Sequence, residues 1–291
     1  MKRPLTFVFP ADPLDATQPD EDYAKEYAAA KHLFDVALIQ LEALMDRQQV
    51  KLNRRLEHGS TVVYRGWMLT PAQYDRFFEG LQQQGVALLT TPAEYRCTHL
   101  LPGWANRPHT LASSWTEDLS EASLIELLAA FEGPVTVKDF VKSRKHEWHE
   151  AFYIPDAADT EQALTIIGTF INRQGEQLVG GVALREFVEL LHIGTHPKSH
   201  APIFEEYRIF YYRGNPLVII DYWKNDTVQL SSEDRTFMEQ QASGIASPFF
   251  TIDYARKSSG ELIIMEMGDA QVSGLQDFDE QTFYERLATL L

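Results

Sequence analysis

Short apolar stretches alternate with longer amphipathic stretches over the first 112 residues of the chain. Residues 6–9 and 60–64 are short and rich in β-branched or aromatic side chains, which is typical of strands. Residues 20–34 and 71–84 have helical composition, and Pro71 stands where a helix begins without needing its N–H. Strands that alternate with helices of this length indicate βαβ units with a partly parallel sheet. Further short strands are predicted at residues 36–41 and 86–89.

The pattern changes twice after this first region. The changes fall at the Pro- and Gly-rich residues 101–108 and at the hydrophilic, strand-poor residues 192–201. We therefore predict an α/β (α+β) fold with three subdomains, 1–112, 113–191 and 192–291. The later strands are predicted at 135–141, 182–190, 205–212, 217–223 and in a hairpin within 249–275, and the later helices at 119–131, 160–174, 234–243 and 279–291.

Composition and net charge limit the classes of protein to which this chain can belong. The chain has 291 residues, 42 acidic against 26 basic side chains, and a formal net charge of −16. This balance argues against sequence-independent nucleic-acid binding and favours anionic ligands bound in a locally basic pocket. The first residues lack the apolar core of a signal peptide, and no apolar run reaches about 18 residues. With a single cysteine, Cys97, which we expect to be inert, these features predict a cytoplasmic protein without disulfides or a membrane span.

Three acids stand out in the predicted C-terminal hairpin. Asp253 and Glu266 each interrupt an apolar strand, and Asp269 follows the second strand in a glycine-flanked turn. Acids in apolar strands are costly to bury unless a cation meets them, and a small set of oxygen ligands suits Mg²⁺ held together with substrate phosphates. The alternative is that they are ordinary acids at the edge of a sheet.

The register of the hairpin decides between these interpretations. If residues 257–260 form the loop, Arg256 faces Glu261, and the first two acids share a face with their backbones roughly 7 Å apart. Gly260 is then placed to adopt the left-handed conformation that ends such a loop. A loop one residue longer puts the two acids on opposite faces.

Basic side chains occupy two of the predicted strands. In VTVKDFVK, residues 135–142, alternation puts Lys138 and Lys142 on the face opposite to the valines. A lysine that points from a strand towards a phosphate acts as a point charge. In EEYRIF, residues 205–210, Arg208 can bind a phosphate through two parallel hydrogen bonds. The alternatives are a solvated loop after Lys142 and a cross-strand ion pair for Arg208.

The order of these segments resembles the ATP-grasp proteins, particularly the branch related to ribosomal-protein glutamate ligases. REFVE at residues 185–189 resembles the adenine-contacting hinge, EYRIF the phosphate-binding arginine strand, and TIDYA with LIIMEMGD the paired metal-acid strands. The YRGWM, HLLPGW and VKDFVKSRKHEW segments are closer still to a small bacterial and phage ATP-grasp group, which is itself similar to the D123-type translation-initiation-factor assembly protein. The resemblance implies an N-terminal α/β pre-ATP-grasp subdomain and two α+β subdomains that sandwich the nucleotide.

The resemblance also implies how ATP is bound. Backbone groups of Glu186, Phe187 and Val188 would hold adenine, and the nearby carboxylate of Glu189 would reach the ribose. The phosphates would be held by the lysine and arginine strands, with Lys138 and Lys142 on the phosphate chain and Arg208 on the γ-phosphate.

The same resemblance implies a magnesium site. Asp253 and Glu266 would hold Mg²⁺, and Lys138 and Arg208 would offset the charge that develops on the transferred phosphoryl group. The usual Glu-x-Asn metal pair is absent here, and Asp269 stands one place late for the asparagine. The usual glycine-rich lid after the lysine is replaced by Lys142-Ser143-Arg144.

The implied activity is ATP- and Mg²⁺-dependent ligation of a carboxylate to an amine through an acyl phosphate. The acid and the amine are open, and either one could belong to a peptide or protein. The alternatives are an ATP-binding clamp that assembles a protein partner without ligation and a kinase acting on a small molecule. Neither a nucleic acid nor a membrane is expected as a partner.

Two other segments carry candidate chemistry. Arg65, in Arg65-Gly66-Trp67, could bind a substrate carboxylate, or it could be solvated beside a packed Trp67. The His146-Glu147-Trp148-His149 segment has its histidines one residue too close for the metalloprotease motif. We expect this segment to be a lid or a surface feature.

Overall fold

The computed structural model describes residues 5–195, 202–221 and 230–290. Contacts divide the chain into two compact units that are both discontinuous in sequence. The first unit comprises Met1–Thr98, Glu206–Asp253 and Met267–Leu291, and the second comprises His99–Glu205 and Tyr254–Glu266. The three-subdomain division stays a prediction. Within the described ranges, no helix has the length and apolar character needed to cross a membrane.

The first unit opens with a parallel sheet in the order β2-β1-β3-β4. Its strands are β1 (Leu5–Pro10), β2 (Asp35–Ile39), β3 (Thr61–Tyr64) and β4 (Ala87–Leu88). Its helices are α1 (Ala24–Lys31), α2 (Leu41–Asp46), α3 (Pro71–Gln83) and α4 (Pro92–His99), the last ending one residue beyond the unit. The predicted βαβ organisation is confirmed, but β2 is shorter than predicted because α2 begins at Leu41.

Helix α3 illustrates how local sequence determines an element of this unit. The Thr70 hydroxyl accepts a hydrogen bond from the Gln73 backbone N–H at 3.3 Å, and the Gln73 side chain accepts one from the Thr70 N–H at 2.8 Å. Pro71 occupies the first turn, where its missing N–H costs nothing. Gly85, with φ of 75°, adopts the left-handed conformation just beyond the helix.

The second unit contains an antiparallel sheet in the order β5-β8-β6-β7 and a separate pair of strands, β9 and β10. Its elements are α5 (Leu101–Trp104), β5 (Ser113–Thr116), α6 (Glu121–Leu128), β6 (Val135–Lys138), α7 (Trp148–Ala151), β7 (Tyr153–Ile154), α8 (Thr160–Gln174), β8 (Val182–Glu186), β9 (His192–Thr195) and β10 (Pro202–Phe204). Residues 101–108 include the short helix α5, and residues 192–195, which were expected to be poor in strands, form β9. Residues 196–201 lie outside the described part of the chain.

Most of the remaining residues lie in the first unit. The remaining elements are β11 (Glu206–Tyr212), β12 (Asn215–Asp221), α9 (Ser232–Ala242), β13 (Phe249–Arg256), β14 (Leu262–Asp269) and α10 (Glu280–Leu290). The four strands form a sheet in the order β12-β11-β13-β14. Residues 254–266 of the hairpin β13–β14 belong to the second unit, so the division passes through both strands. Residues 222 and 223 of the predicted strand 217–223 fall outside the described ranges.

Alternation along the parallel strands builds two apolar layers in the first unit. The layers are formed on one face by Phe7, Phe9 and Leu38 with Phe283 and Tyr284 of α10, and on the other by Val8, Ala37 and Val62 with Tyr74 and Phe77 of α3. The second unit has its own core, in which Val135, Val137 and Leu184 pack against α6 and α8. Each unit therefore buries an apolar core of its own.

The loop of the hairpin β13–β14 differs from the prediction. Lys257, rather than Arg256, pairs with Glu261, because the Lys257 N–H donates to the Glu261 carbonyl at 2.8 Å. Gly260 donates to the Lys257 carbonyl at 2.9 Å and has a φ of 92°, as expected for the left-handed residue of this loop. The predicted register is thus wrong by one residue at the loop, and the face-sharing of the two acids deduced from it loses its basis.

Arg65 forms a buried polar network in the first unit. Its guanidinium donates to both carboxylate oxygens of Glu26, from Nε at 2.9 Å and from Nη2 at 2.8 Å. Nη1 donates to the carbonyls of Ala270 and Ser273, and the Tyr284 hydroxyl donates to Glu26 at 3.1 Å. Burial alone would lower the pKa of Arg65, but the Glu26 carboxylate overrides it and raises the pKa. Both expectations for Arg65 are wrong, since its side chain is neither solvated nor open to a substrate.

We predict that Arg65→Met destabilises the protein by roughly 3–5 kcal/mol, because it leaves the buried Glu26 carboxylate without its cation. The double variant Arg65→Met/Glu26→Gln should recover part of that loss, since it removes the uncompensated charge. Urea unfolding of the three proteins measures both effects. A single variant as stable as the wild type would show that the pair contributes nothing.

Candidate functional site

Lys138 is the last residue of β6 and one of the most buried charged groups of the second unit. Its neighbours Val135 and Val137 face the core of α6 and α8, so alternation turns Lys138 to the opposite face of the sheet. Lys138 is 4% exposed, and its Nζ lies 2.5 Å from Oε1 of Glu266 on β14. The Glu266 side chain is 41% exposed. The pair therefore neutralises a buried ammonium with a carboxylate that still reaches solvent.

Asp139 shapes the chain directly after this lysine. Its Oδ1 accepts hydrogen bonds from the backbone N–H groups of Val141 and Lys142 at 2.6 and 2.5 Å. Its Oδ2 accepts from Gln174 Nε2 at 2.8 Å and from the Val179 N–H at 3.3 Å. The carboxylate ends β6 at Lys138, three residues earlier than predicted, and leaves the Lys142 side chain exposed. The sequence signal for this turn is Asp139 itself, because an aspartate carboxylate can accept hydrogen bonds from the backbone N–H groups two and three residues later.

Arg208 of β11 and Asp253 of β13 form the corresponding pair in the first unit. Nε and Nη2 of the guanidinium donate to the two carboxylate oxygens at 2.8 and 2.7 Å. Nη1 donates to the Gly274 carbonyl at 3.2 Å. This is the bidentate geometry in which an arginine binds either a carboxylate or a phosphate. In this structure Arg208 forms the cross-strand ion pair that was its alternative interpretation.

The two pairs have a common composition. Each joins a cation that we expected to bind phosphate with an acid that we expected to bind Mg²⁺, and each pair lies within one unit. The carboxylate oxygens of Asp253 and Glu266 are chemically suited to Mg²⁺, which is commonly held by one or two protein carboxylates together with substrate phosphates. No group of three His, Cys, Asp or Glu side chains able to hold a metal occurs among the described residues.

Asp269 lies in a buried network and not at the surface. Its Oδ1 accepts from the Gln271 N–H at 2.9 Å and from Gln271 Nε2 at 3.1 Å, and the same Nε2 donates to the Tyr74 hydroxyl at 2.7 Å. Its Oδ2 has no hydrogen-bond partner. Burial raises the pKa of Asp269 to about 7, against the lowering effect of the bonds from Gln271. A metal role for Asp269 stays a prediction that its burial disfavours.

The predicted adenine-binding segment follows β8. The Glu186 N–H donates to the Ala112 carbonyl at 2.9 Å, and the Phe187 N–H donates to the Pro134 carbonyl at 3.1 Å. Glu186 Oε1 accepts from the Ala112 N–H at 2.9 Å. Val188 makes no backbone hydrogen bond to another described residue, and Glu189 is exposed. The roles of Glu186, Phe187, Val188 and Glu189 in binding adenine and ribose stay predictions.

Trp148, Tyr153 and Phe187 form a cluster of three aromatic rings in the second unit. Trp148 stacks on Tyr153 with ring centroids 5.3 Å apart, and Phe187 meets both rings edge-on at 5.9 and 5.0 Å. Glu147 is bound by Arg144 and Arg173, which holds this segment against α8. The His146-Glu147-Trp148-His149 segment thus lies at the surface beside the predicted adenine segment. Spacing alone could not reveal this contact, because it joins residues far apart in sequence.

The comparisons with known proteins give the family. Residues 126–287, more than half of the chain, match the family described as "ATP-grasp domain, R2K clade family 3", and the chain belongs to this family. The resemblance to ATP-grasp proteins and the mixed α/β fold class are thereby confirmed. Among curated proteins no match is found.

Solved structures share the fold at low identity. D-cycloserine synthetase DcsG has a TM-score of 0.59 and 15% identity, with 98% of this chain and 99% of that chain covered. A RimK-domain ATP-grasp protein from Sphaerobacter thermophilus has a TM-score of 0.58 and 11% identity, with 98% of each chain covered. The ATP-grasp ligase PsnB, in complex with a phosphomimetic variant of its minimal precursor, Mg and ADP, has a TM-score of 0.56 and 10% identity, with 100% of this chain and 96% of that chain covered.

We predict that Asp269 makes the stability of the protein fall as the pH rises. Its folded pKa of about 7 lies above the ordinary aspartate pKa of 3.8, so the folded state keeps a proton that the unfolded state loses across this window. The slope is at most about 1.4 kcal/mol per pH unit. Asp269→Asn should remove this contribution, so the variant gains stability relative to the wild type between about pH 5 and about pH 8. Urea unfolding at the two pH values measures this, and an equal difference at both would contradict it.

Proposed function

We propose that the protein is an ATP- and Mg²⁺-dependent ligase that joins a carboxylate to an amine. Membership of the ATP-grasp family supports ATP as the substrate. The observation that carries the proposal is the pairing of Lys138 with Glu266 and of Arg208 with Asp253. We infer that in each unit, taken by itself, the cation of the pair exchanges its carboxylate for a phosphate when Mg–ATP binds.

The physical basis of this inference is charge balance. A buried or half-buried cation needs an anion beside it, and a phosphate oxygen can replace the carboxylate in that position. The released carboxylate then has an oxygen for Mg²⁺, which accompanies the phosphates. Each cation has an anion beside it both with and without nucleotide. Nucleotide binding therefore replaces a carboxylate by a phosphate and leaves neither cation uncompensated. Asp253 and Glu266 are the residues that would hold the metal.

The reaction needs no side-chain nucleophile. A carboxylate oxygen of the acid substrate attacks the γ-phosphorus, the bond to ADP breaks, and an acyl phosphate forms. The amine then attacks the acyl carbon, loses a proton, and expels phosphate. Lys138 and Arg208 stabilise the negative charge that develops on the transferred group and orient its oxygens. When bound, Mg²⁺ supplies further neutralisation of the phosphate charge.

We also propose a peptide or protein as the acid substrate. PsnB, which shares the fold, is described in complex with its minimal precursor together with Mg and ADP. MdnC, another protein of this fold, is described with a precursor peptide; its TM-score is 0.55 at 12% identity, with 98% of this chain and 99% of that chain covered. These complexes support a peptide carboxylate, and the amine is left open.

The function is tested by following ADP and phosphate release from ATP and Mg²⁺. The purified protein is incubated alone, with an amino-acid pool, and with peptide and cell-extract fractions. Phosphate release that requires both an acid and an amine, with an amide product of matching mass, is the expected result. Saturable ATP binding without ADP release in any pool would contradict a ligase and favour an assembly clamp, and ADP release with a phosphorylated product would favour a kinase.

We predict that Glu266→Gln and Asp253→Asn each lower Mg²⁺-dependent turnover about a hundredfold or more, because several kcal/mol of charge stabilisation depend on the metal. In EDTA the same variants should bind ATP at least as tightly as the wild type, since the carboxylate that competes with phosphate for the cation has been removed. Steady-state kinetics and isothermal titration calorimetry measure the two effects.

The matched control is Glu261→Gln, which removes an exposed acid of the same hairpin that pairs with Lys257 at 3.0 Å. This variant should keep wild-type turnover. Wild-type turnover in Glu266→Gln and Asp253→Asn, with folding verified by circular dichroism, would refute the assignment of the two acids to the metal.

A further inference from the structure

Arg185 stands on the same face of the antiparallel sheet as Lys138. In the register of β6 and β8, Thr136 lies opposite Arg185 and Lys138 lies opposite Ala183. Directly opposite residues share a face, so Arg185 and Lys138 both point away from the core of α6 and α8. Lys138 and Arg185 are therefore two cations on neighbouring strands that lie on the same face of one sheet in the second unit.

The guanidinium of Arg185 is buried without a polar partner. The residue is 5% exposed, and its Nε and Nη2 have no hydrogen-bond partner within residues 5–195, 202–221 and 230–290. The guanidinium lies against the ring of Trp104 on α5, whose centroid is 5.4 Å from Cζ. Trp104 is 1% exposed, and its indole N–H also lacks a partner. Two side chains in contact thus hold three buried donors without an acceptor.

Such an arrangement is costly in a protein that binds nothing there. Buried donors are almost always paired, and an arginine cannot escape the cost by losing its proton. Burial lowers the pKa of Arg185, and the charges of Glu266 and Glu186 oppose this effect. Glu266 bonds to Lys138, and neither Nε nor Nη2 of Arg185 is hydrogen-bonded to it. Contact with an aromatic ring favours the cation but accepts no N–H bond along the edge of the guanidinium.

We propose that Arg185, held against Trp104, binds an oxyanion of the reactants. Nε and Nη2 form the edge of a guanidinium that binds two oxygens of one carboxylate or phosphate in parallel. The oxyanion is a nucleotide phosphate or the carboxylate of the acid substrate, and the shared face with Lys138 favours the phosphate. The identity of the reactants, but not the existence of the anion site, rests on the proposed ligase function.

The test compares Arg185→Met with the wild type by two measurements that need no turnover. Thermal unfolding without ligand should shift upwards by about 2 °C or more, because an unsatisfied buried charge is removed. The affinity for ADP with Mg²⁺, measured by calorimetry, should fall at least about tenfold, while the affinity for adenosine should not change. Arg96→Met, which removes a partly exposed arginine paired with Asp75 in the first unit, is the control and should leave both ligand affinities unchanged.

Further arms identify the source of the oxyanion. Unchanged ADP affinity with loss of inorganic phosphate binding to the ADP complex would support the site and assign it to the transferred phosphate. Loss of acetate binding instead would support the site and assign it to the acid substrate. A lower melting temperature combined with unchanged binding of ADP, phosphate and acetate would overturn the proposal, since a structural arginine behaves in that way. Arg185→Lys keeps the charge but not the two-donor edge, and it provides the same binding test if Arg185→Met does not fold.

The outcome is separable from that of the proposed function. A wild-type protein that binds ADP but ligates nothing would refute the ligase and leave the Arg185 test intact. A wild-type protein that ligates while Arg185→Met binds every probe equally well would refute the anion site and leave the ligase standing.

Discussion

The burial of the Lys138 ammonium is the constraint on which the candidate site depends. An ammonium with so little solvent contact is stable only with an anion beside it, and in the ligand-free chain that anion is Glu266. The two residues are 128 positions apart, so the pair can form only when β14 is brought to the open face of the antiparallel sheet. Asp139 also contributes to this pairing. Its carboxylate accepts four hydrogen bonds, which end β6 and turn the chain directly after Lys138.

The same principle accounts for the rest of the polar architecture. Arg208 and Asp253 satisfy each other in the first unit, and Arg65 with Glu26 does so permanently, with backbone carbonyls completing the guanidinium. The contrast between these pairs is informative. Arg65 makes four hydrogen bonds inside the fold, two of them to backbone carbonyls, whereas Lys138 and Arg208 are each paired with an acid that a phosphate could replace. Arg185 differs from all of them, because Nε and Nη2 on its buried edge have no hydrogen-bond partner in the part of the chain that the structure describes.

Local sequence signals are sufficient for much of the fold. The caps of α3, the helical spacing of α8 and the left-handed Gly260 depend on residues that are close together in the chain, so their positions are readable without tertiary information. The fold class can also be predicted, because the lysine strand, the hinge segment, the arginine strand and the acidic hairpin follow one another along the chain in an order that resembles that of ATP-grasp proteins.

What the sequence leaves open depends on tertiary contacts. Nothing local distinguishes a solvated Arg65 from one that is buried against Glu26, since the partner is 39 residues away. The same holds for the burial of Asp269 and for the buried donors of Arg185. The units are discontinuous because the chain leaves the first unit after Thr98 and returns at Glu206, which a division into consecutive segments could not capture.

The central claim is that the Lys138–Glu266 pair is exchanged for contacts to Mg–ATP. A double-mutant cycle of Lys138→Met and Glu266→Gln measures the coupling between the two side chains directly. Unfolding free energies of the four proteins are compared without ligand and with Mg²⁺ and a non-hydrolysable ATP analogue at concentrations that saturate all four. The account predicts a coupling of about 1 kcal/mol or more without ligand that falls to nearly zero in the complex. An equal coupling under both conditions would show that the ion pair is a permanent part of the fold and would contradict the account.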